Sequence, residues 1–249
     1  MLDRGRRGGG CSRAVRVRRK TGFQLVATQV LGVAEVATLY GLRLRPVDHR
    51  RVEMALGALA NEIEVAVQAG RMAPEQAERL ILYPELDRIR GIKGEESVTL
   101  KALVARMPNW FADDMLVCDA MRRDRAWNGI GIEPAVAAFD PEPVAVGRSF
   151  KDGVADCRRR ARSSGLSWAP PPMQTVIGAL VAHRELRMTW PAAATGRTES
   201  WSRIITPKAR VVASWSEDRI DLGHAPDADE PPDMGTFAAI RIPVAGAGA

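Results

Sequence analysis

The chain has 249 residues, 46% of them hydrophobic, with 36 Lys and Arg against 30 Asp and Glu and a formal net charge of +6. That length and apolar share are enough for a packed core and exclude wholesale disorder. The longest clean apolar run, Val176 to Ala182, falls far short of the ~20 residues of a membrane-spanning helix.

The charge is unevenly placed. Residues 1–20 carry eight basic side chains and one acid, Asp3, so this segment holds +7 while the remaining residues sum to −1. Gly8, Gly9 and Gly10 interrupt it, and it has almost no large apolar side chain to pack. It is expected to be a flexible basic arm suited to a polyanion, because each phosphate contact releases condensed counterions. Arg16, Arg18, Arg19 and Lys20, nearest the fold, are its candidate nucleic-acid contacts. A solvated tail with no role, an organelle-import segment and a docking arm for an acidic protein surface are the competing readings of the same composition.

Residues 21–128 read as a helical domain. Thr21 and Gln24 match a capping box. Pro46 suits a first helical turn, and Val52, Leu56, Leu59, Ile63 and Val67 then recur at helical spacing until Gly70. Pro74 opens a further helix expected over Glu75 to Tyr83. Ser97 or Thr99 is placed to cap a short helix ending at Met107, and Asn109 to cap one through Trp127.

Within this domain, Val33 to Arg50 fits a helix-turn-helix. Ala37 and Gly41 have the small-residue and turn-glycine spacing, while Val36, Tyr40, Leu42 and Val47 occupy four of five core positions. Arg50 occupies the fifth, where an apolar residue is wanted. On this reading Arg43, Arg45, His49, Arg50 and Arg51 lie at or near a nucleic-acid groove, where arginine meets guanine edges or phosphates; a plain helical hairpin turning at Gly41 is the competing reading.

Residues 129–173 are rich in proline and read as a linker or irregular wrap, with one short helix near Val154 to Arg162. A basic cluster in that helix, Arg158-Arg159-Arg160, reads as a solvated face. Residues 174–225 read as a small α+β module: a helix from Gln174 to about Arg187, then strands over Ser200 to Thr206 and Arg210 to Ser216. Residues 226–249 form an acidic, Pro- and Gly-containing tail with a final strand near Phe237 to Val244; the acids cluster from Glu217 to Asp233. Trp201 and Trp215, beside Arg203 and Arg219, offer either a base-stacking platform or core packing.

The expected fold class is therefore α+β and mainly α, an N-terminal helical bundle with a smaller C-terminal module built on a short hairpin or small sheet. No spacing assigns a metal or a cofactor. His49, His183, His224 and cysteines Cys11, Cys118 and Cys157 are scattered, and the three cysteines give no disulfide framework, which points to a reducing, cytoplasmic setting. Asp113 and Asp114 with Asp119 could line a helix face and hold magnesium, but Asp113 and Asp114 read more simply as acids near a helix start. Gly129-Ile130-Gly131 lacks the strand and helix of a phosphate-binding turn. The functional expectation is a non-enzymatic, nucleic-acid-associated protein, DNA- or RNA-binding, without a membrane segment. The alternative is a structural or adaptor subunit of a larger assembly, such as a virion or ribonucleoprotein, in which arm and acidic tail contact neighbours.

Overall fold

The computed structural model describes residues 30–111, 131–187, 189, 191, 194–202, 209–215, 219–226 and 232–244. The basic arm, the capping box at Thr21, the helix expected after Asn109 beyond Phe111, and Asp113, Asp114, Asp119 and Cys118 lie outside the described residues.

Three helices come first: α1 (Val33–Leu39), α2 (Pro46–Gln68) and α3 (Pro74–Glu78). Strand β1 (Ile81–Glu85), the hairpin β2 (Arg88–Gly91) and β3 (Gly94–Ser97), and helix α4 (Leu100–Arg106) follow. Beyond them lie β4 (Ala135–Val144), α5 (Phe150–Ser164), β5 (Trp168–Ala169) and α6 (Met173–Arg187). Four strands complete the chain: β6 (Ala194–Ser202), β7 (Ala209–Trp215), β8 (Ile220–Pro226) and β9 (Gly235–Pro243).

A seven-stranded sheet in the order β1-β4-β9-β6-β7-β8, with β5 also on β9, organises the molecule. Its neighbours pair antiparallel except β6 and β9, which run parallel. This corrects the expected mainly helical bundle with a small C-terminal hairpin. The sheet takes β1 from the expected helical domain, β4 from the expected linker and β9 from the expected tail, joined through the register Tyr83–Ala137–Arg241.

Both faces of the sheet are covered, and strand alternation assigns the side chains to them. Tyr83, Phe139, Trp215 and Phe237 point to one core with α1, α4 and α6. Leu82, Val136, Ala138 and Ile240 point to the other, where Leu59 and Ile63 of α2 and Cys157 of α5 pack. Trp215 stacks on Phe237 with centroids 5.2 Å apart and meets Phe139 edge-on, so it is a core residue and not a base platform. The side chain of Trp201 lies outside the described residues.

Several local expectations hold. Pro46 opens α2, and Gly70 ends it at φ +68°. The Thr99 side chain caps α4 by accepting from Ala102 N–H at 3.1 Å. Others fail for a physical reason. Ile81 to Glu85 is buried on both faces, so its continuous apolar run has no period to separate strand from helix. Pro84 stands in β1 at the end of the sheet, where a missing N–H is tolerated. In β4 the register shifts between Asp140 and Val144, and Pro141 and Pro143 sit in that bulge. The acidic cluster from Glu217 to Asp233, for which no strand is expected, holds β8.

Candidate functional site

The site begins at the turn between α1 and α2. Gly41 adopts φ +71°, its N–H donates to Thr38 O at 2.9 Å, and Leu42 N–H donates to Ala37 O at 2.8 Å. These two bonds form a glycine-terminated helix end of the Schellman type, which is why the Ala37 and Gly41 spacing is readable in the sequence. A Cβ on Gly41 would lie 2.9 Å from Arg90 Cβ and 3.1 Å from Arg106 Nη2, so the position needs glycine for space as well as for φ.

The two helices and turn foreseen in the sequence are present, but their locking differs. Val36, Tyr40 and Leu42 are buried as expected, whereas Val47 is 50% exposed and Arg50 faces solvent. The turn is also longer than the three or four residues usual in such units, spanning Tyr40 to Arg45. Helix α2 is held by Val52, Leu56, Leu59, Ile63 and Ala66 against the sheet, so its register is set by the strands beneath it.

Around that turn arginines from three elements converge. Arg43 is exposed on the turn. Arg90 is exposed on β2, its N–H donating to Tyr40 O at 2.8 Å, and Arg106 at the end of α4 donates from Nε to Leu39 O at 3.3 Å. None of the three has an acidic partner among the described residues. Arg45, also exposed, holds Asp48 at 2.6 Å, and that carboxylate raises its pKa. Beside them is a pocket of about 330 Å³ between the turn and the β2 hairpin, lined by Arg43, Arg45 and Arg88 and by Asp48, Asp87 and Glu95. Its lining charges balance with Arg43 included; the positive charge in excess of them lies next to it at Arg90 and Arg106.

Of the site residues expected from sequence, Arg43, Arg45, Arg50 and Arg51 are all exposed at this end of α2. Arg16, Arg18, Arg19 and Lys20 lie outside the described residues. Arg90 and Arg106 were not foreseen; they reach the turn only through the hairpin and α4, and no local pattern marks them.

Two buried ion clusters also escaped the sequence reading. The Glu85 side chain, fully buried, accepts from Arg241 at 2.5 and 2.8 Å and from Thr175 at 2.5 Å. Burial pushes its carboxyl above the ordinary value, against the pull of Arg241. The adjacent hydroxyls of Tyr40 and Tyr83 are bonded to each other, and burial pushes both well up, so they stay protonated. Asp140, equally buried, receives Arg79 at 2.9 Å and Arg160 at 2.7 Å, and Arg160 also lies over the Trp168 ring. Partners separated by 61 and 156 residues leave no local signature. Each cluster ties strands to helices, with its carboxylate oxygens occupied.

No further chemical constellation appears among the described residues. Among the described residues no three His, Cys, Asp or Glu side chains group to hold a metal ion. The Cys157 thiol is buried and pushed up to about 11 by desolvation, which keeps it a thiol at neutral pH. Burial lowers the His183 pKa, and its Nδ1 lies 2.9 Å from Thr189 O. Among the described residues no helix is long and apolar enough to cross a membrane.

No family model, no curated protein and no solved structure matches this chain.

Proposed function

We propose that this chain is a non-enzymatic protein that associates with nucleic acid. The observation that carries the reading is the arginine rim at Gly41, where Arg43, Arg90 and Arg106 come together without acidic partners among the described residues. Three guanidiniums projecting from separate elements suit a phosphate backbone, since each offers a planar fork of donors to phosphate oxygens. Arg45, Arg50 and Arg51 extend the surface along the first turns of α2. The basic segment of residues 1–20, with Arg16, Arg18, Arg19 and Lys20 closest, supplies further positive charge from the same chain. The pocket beside the rim is charge-balanced, which favours contact with a backbone over capture of a small anion inside it.

The test compares wild type with Arg43→Ala/Arg90→Ala/Arg106→Ala on duplex DNA and on single-stranded RNA of mixed sequence, with salt varied. The triple variant is expected to bind more weakly and with a log–log salt slope shallower by about 2 to 3, one unit for each lost phosphate contact. An unchanged slope and affinity refute the assignment of these arginines. Arg43→Ala/Arg45→Ala separately reports base reading: relaxed sequence preference means base contacts, a uniform loss means phosphate contacts.

A further inference from the structure

Helix α2 carries two apolar lines, and the fold uses one. Val52, Leu56, Leu59, Ile63 and Ala66 are buried against the sheet. On the opposite side Val47, Met54 and Val65 are 50%, 66% and 45% exposed. At about 100° per residue these three fall within ~20° of a single line along the helix. Ala58, also exposed, lies on the same line.

We propose that this line seats a second copy of the chain, the two α2 helices packing antiparallel about a two-fold axis near Leu56. In that register Val47 of one copy meets Val65 of the other, and Met54 meets Ala58. A two-fold interface requires this self-complementarity, because every contact is made twice with the roles exchanged. Charge follows the same symmetry. Arg51 and Glu62 flank the apolar line on one side, both exposed, and the antiparallel register sets Arg51 of each copy beside Glu62 of the other. Glu62 has no ion pair among the described residues, so its carboxylate is available. A parallel two-fold arrangement would instead put the Arg51 and Glu62 flank of each copy on opposite sides of the seam, and so lacks this pairing.

Space permits close approach at the centre. A Cβ added at Gly57 would meet nothing within 4 Å, and Ala58 is the smallest side chain on the line. The contact from Val47 to Val65 runs for about 27 Å of helix, so the interface sits at the small end of specific ones and the dimer is expected to be weak, with Kd of order ~10 µM. Arg51 is then engaged by the dimer, leaving Arg43, Arg45 and Arg50 to the backbone surface proposed above. The register also separates the two Pro46 residues by about 30 Å, near the ~34 Å repeat of duplex DNA. Dimerisation itself needs no nucleic acid, so its test is independent of that reading.

Sedimentation equilibrium on the nuclease-treated full chain, from about 1 to about 200 µM, brackets the expected Kd. A monomer–dimer equilibrium is expected. Met54→Glu is expected to raise the dimer Kd more than about tenfold by burying an unpaired carboxylate, with unchanged circular dichroism and Tm because Met54 is exposed in the monomer. Glu62→Arg is expected to weaken the dimer, and Arg51→Glu/Glu62→Arg to restore it. A chain monomeric throughout, or a dimer indifferent to Met54→Glu, overturns the proposal. Failure of the charge swap to restore association overturns the antiparallel register.

Discussion

Replacing Arg241 with methionine is the sharpest probe of how the sheet is held. The Glu85 side chain is fully buried at the end of β1, and Arg241 on β9 reaches it across β4 with Nε at 2.8 Å and Nη2 at 2.5 Å. Methionine keeps much of the aliphatic bulk but leaves the carboxylate with Thr175 alone. Removing one partner of a buried pair costs about 3–5 kcal/mol, because the surviving charge is left uncompensated. Arg241 is itself 29% exposed, so water reaches one side of the pair and the lower end applies, about 3 kcal/mol. For a chain of this length that corresponds to a fall in Tm of roughly 6–12 °C. The assay is thermal and urea unfolding of wild type, Arg241→Met, Glu85→Gln and the double variant. Glu85→Gln/Arg241→Met is expected to recover at least half of the loss, since the amide carries no charge and still accepts from Thr175. Arg241→Met unfolding within about 0.5 kcal/mol of wild type, or a double variant no more stable than the sum of the singles predicts, refutes the reasoning.

The same carboxyl sets a pH dependence. Burial raises its native pKa above the ordinary value of 4.5, so the native state keeps this proton to higher pH than the unfolded chain does. Its contribution is present below that ordinary value and is lost as pH rises through the raised native one, and Glu85→Gln should flatten this segment of the stability-versus-pH curve. A curve of unchanged shape in the variant would contradict it. Gly178 on α6 gives a packing prediction: an added Cβ would overlap Tyr83 Oη and come within 3.0 Å of Tyr40 Oη. Gly178→Ala should cost about 1–3 kcal/mol in urea unfolding. Tyr83→Phe in that background should return part of the loss, and a neutral Gly178→Ala would show that the tyrosine pair is not held tightly.

What the sequence disclosed depended on whether its signals were local. Pro46, Gly70, Thr99 and Gly41 act through bonds within a few residues, and the structure places them at the helix ends expected of them. The run Gln174 to Arg187 likewise lies in α6, because its length identifies a helix even when it is buried. Strands β1 and β4 were hidden for opposite reasons. Ile81 to Glu85 lacks alternation because both its faces are covered, and Ala135 to Val144 lacks a strand's composition because prolines occupy its bulge. Missing those two strands turned one large sheet into a bundle, a linker and a small module. At the candidate site, Arg43 and Arg45 were found because they adjoin the readable turn at Gly41. Arg90 and Arg106 were not, since only folding of β2 and α4 brings them there.

The central claim, that this chain engages nucleic acid through its concentrated positive charge, is tested most directly by the salt slope of binding with and without residues 1–20. Fluorescence anisotropy against a labelled duplex and a labelled single strand, at graded potassium chloride, gives that slope for both forms. The segment holds eight basic side chains, and contact by even half of them contributes about 3 to 4 units of slope at about 0.9 per phosphate on duplex. The account predicts a slope shallower by that amount and weaker binding after deletion, with the remainder further reduced by Arg43→Ala/Arg90→Ala/Arg106→Ala. Equal slopes and equal affinities for the full and shortened chains, or no binding by either at low salt, would contradict it.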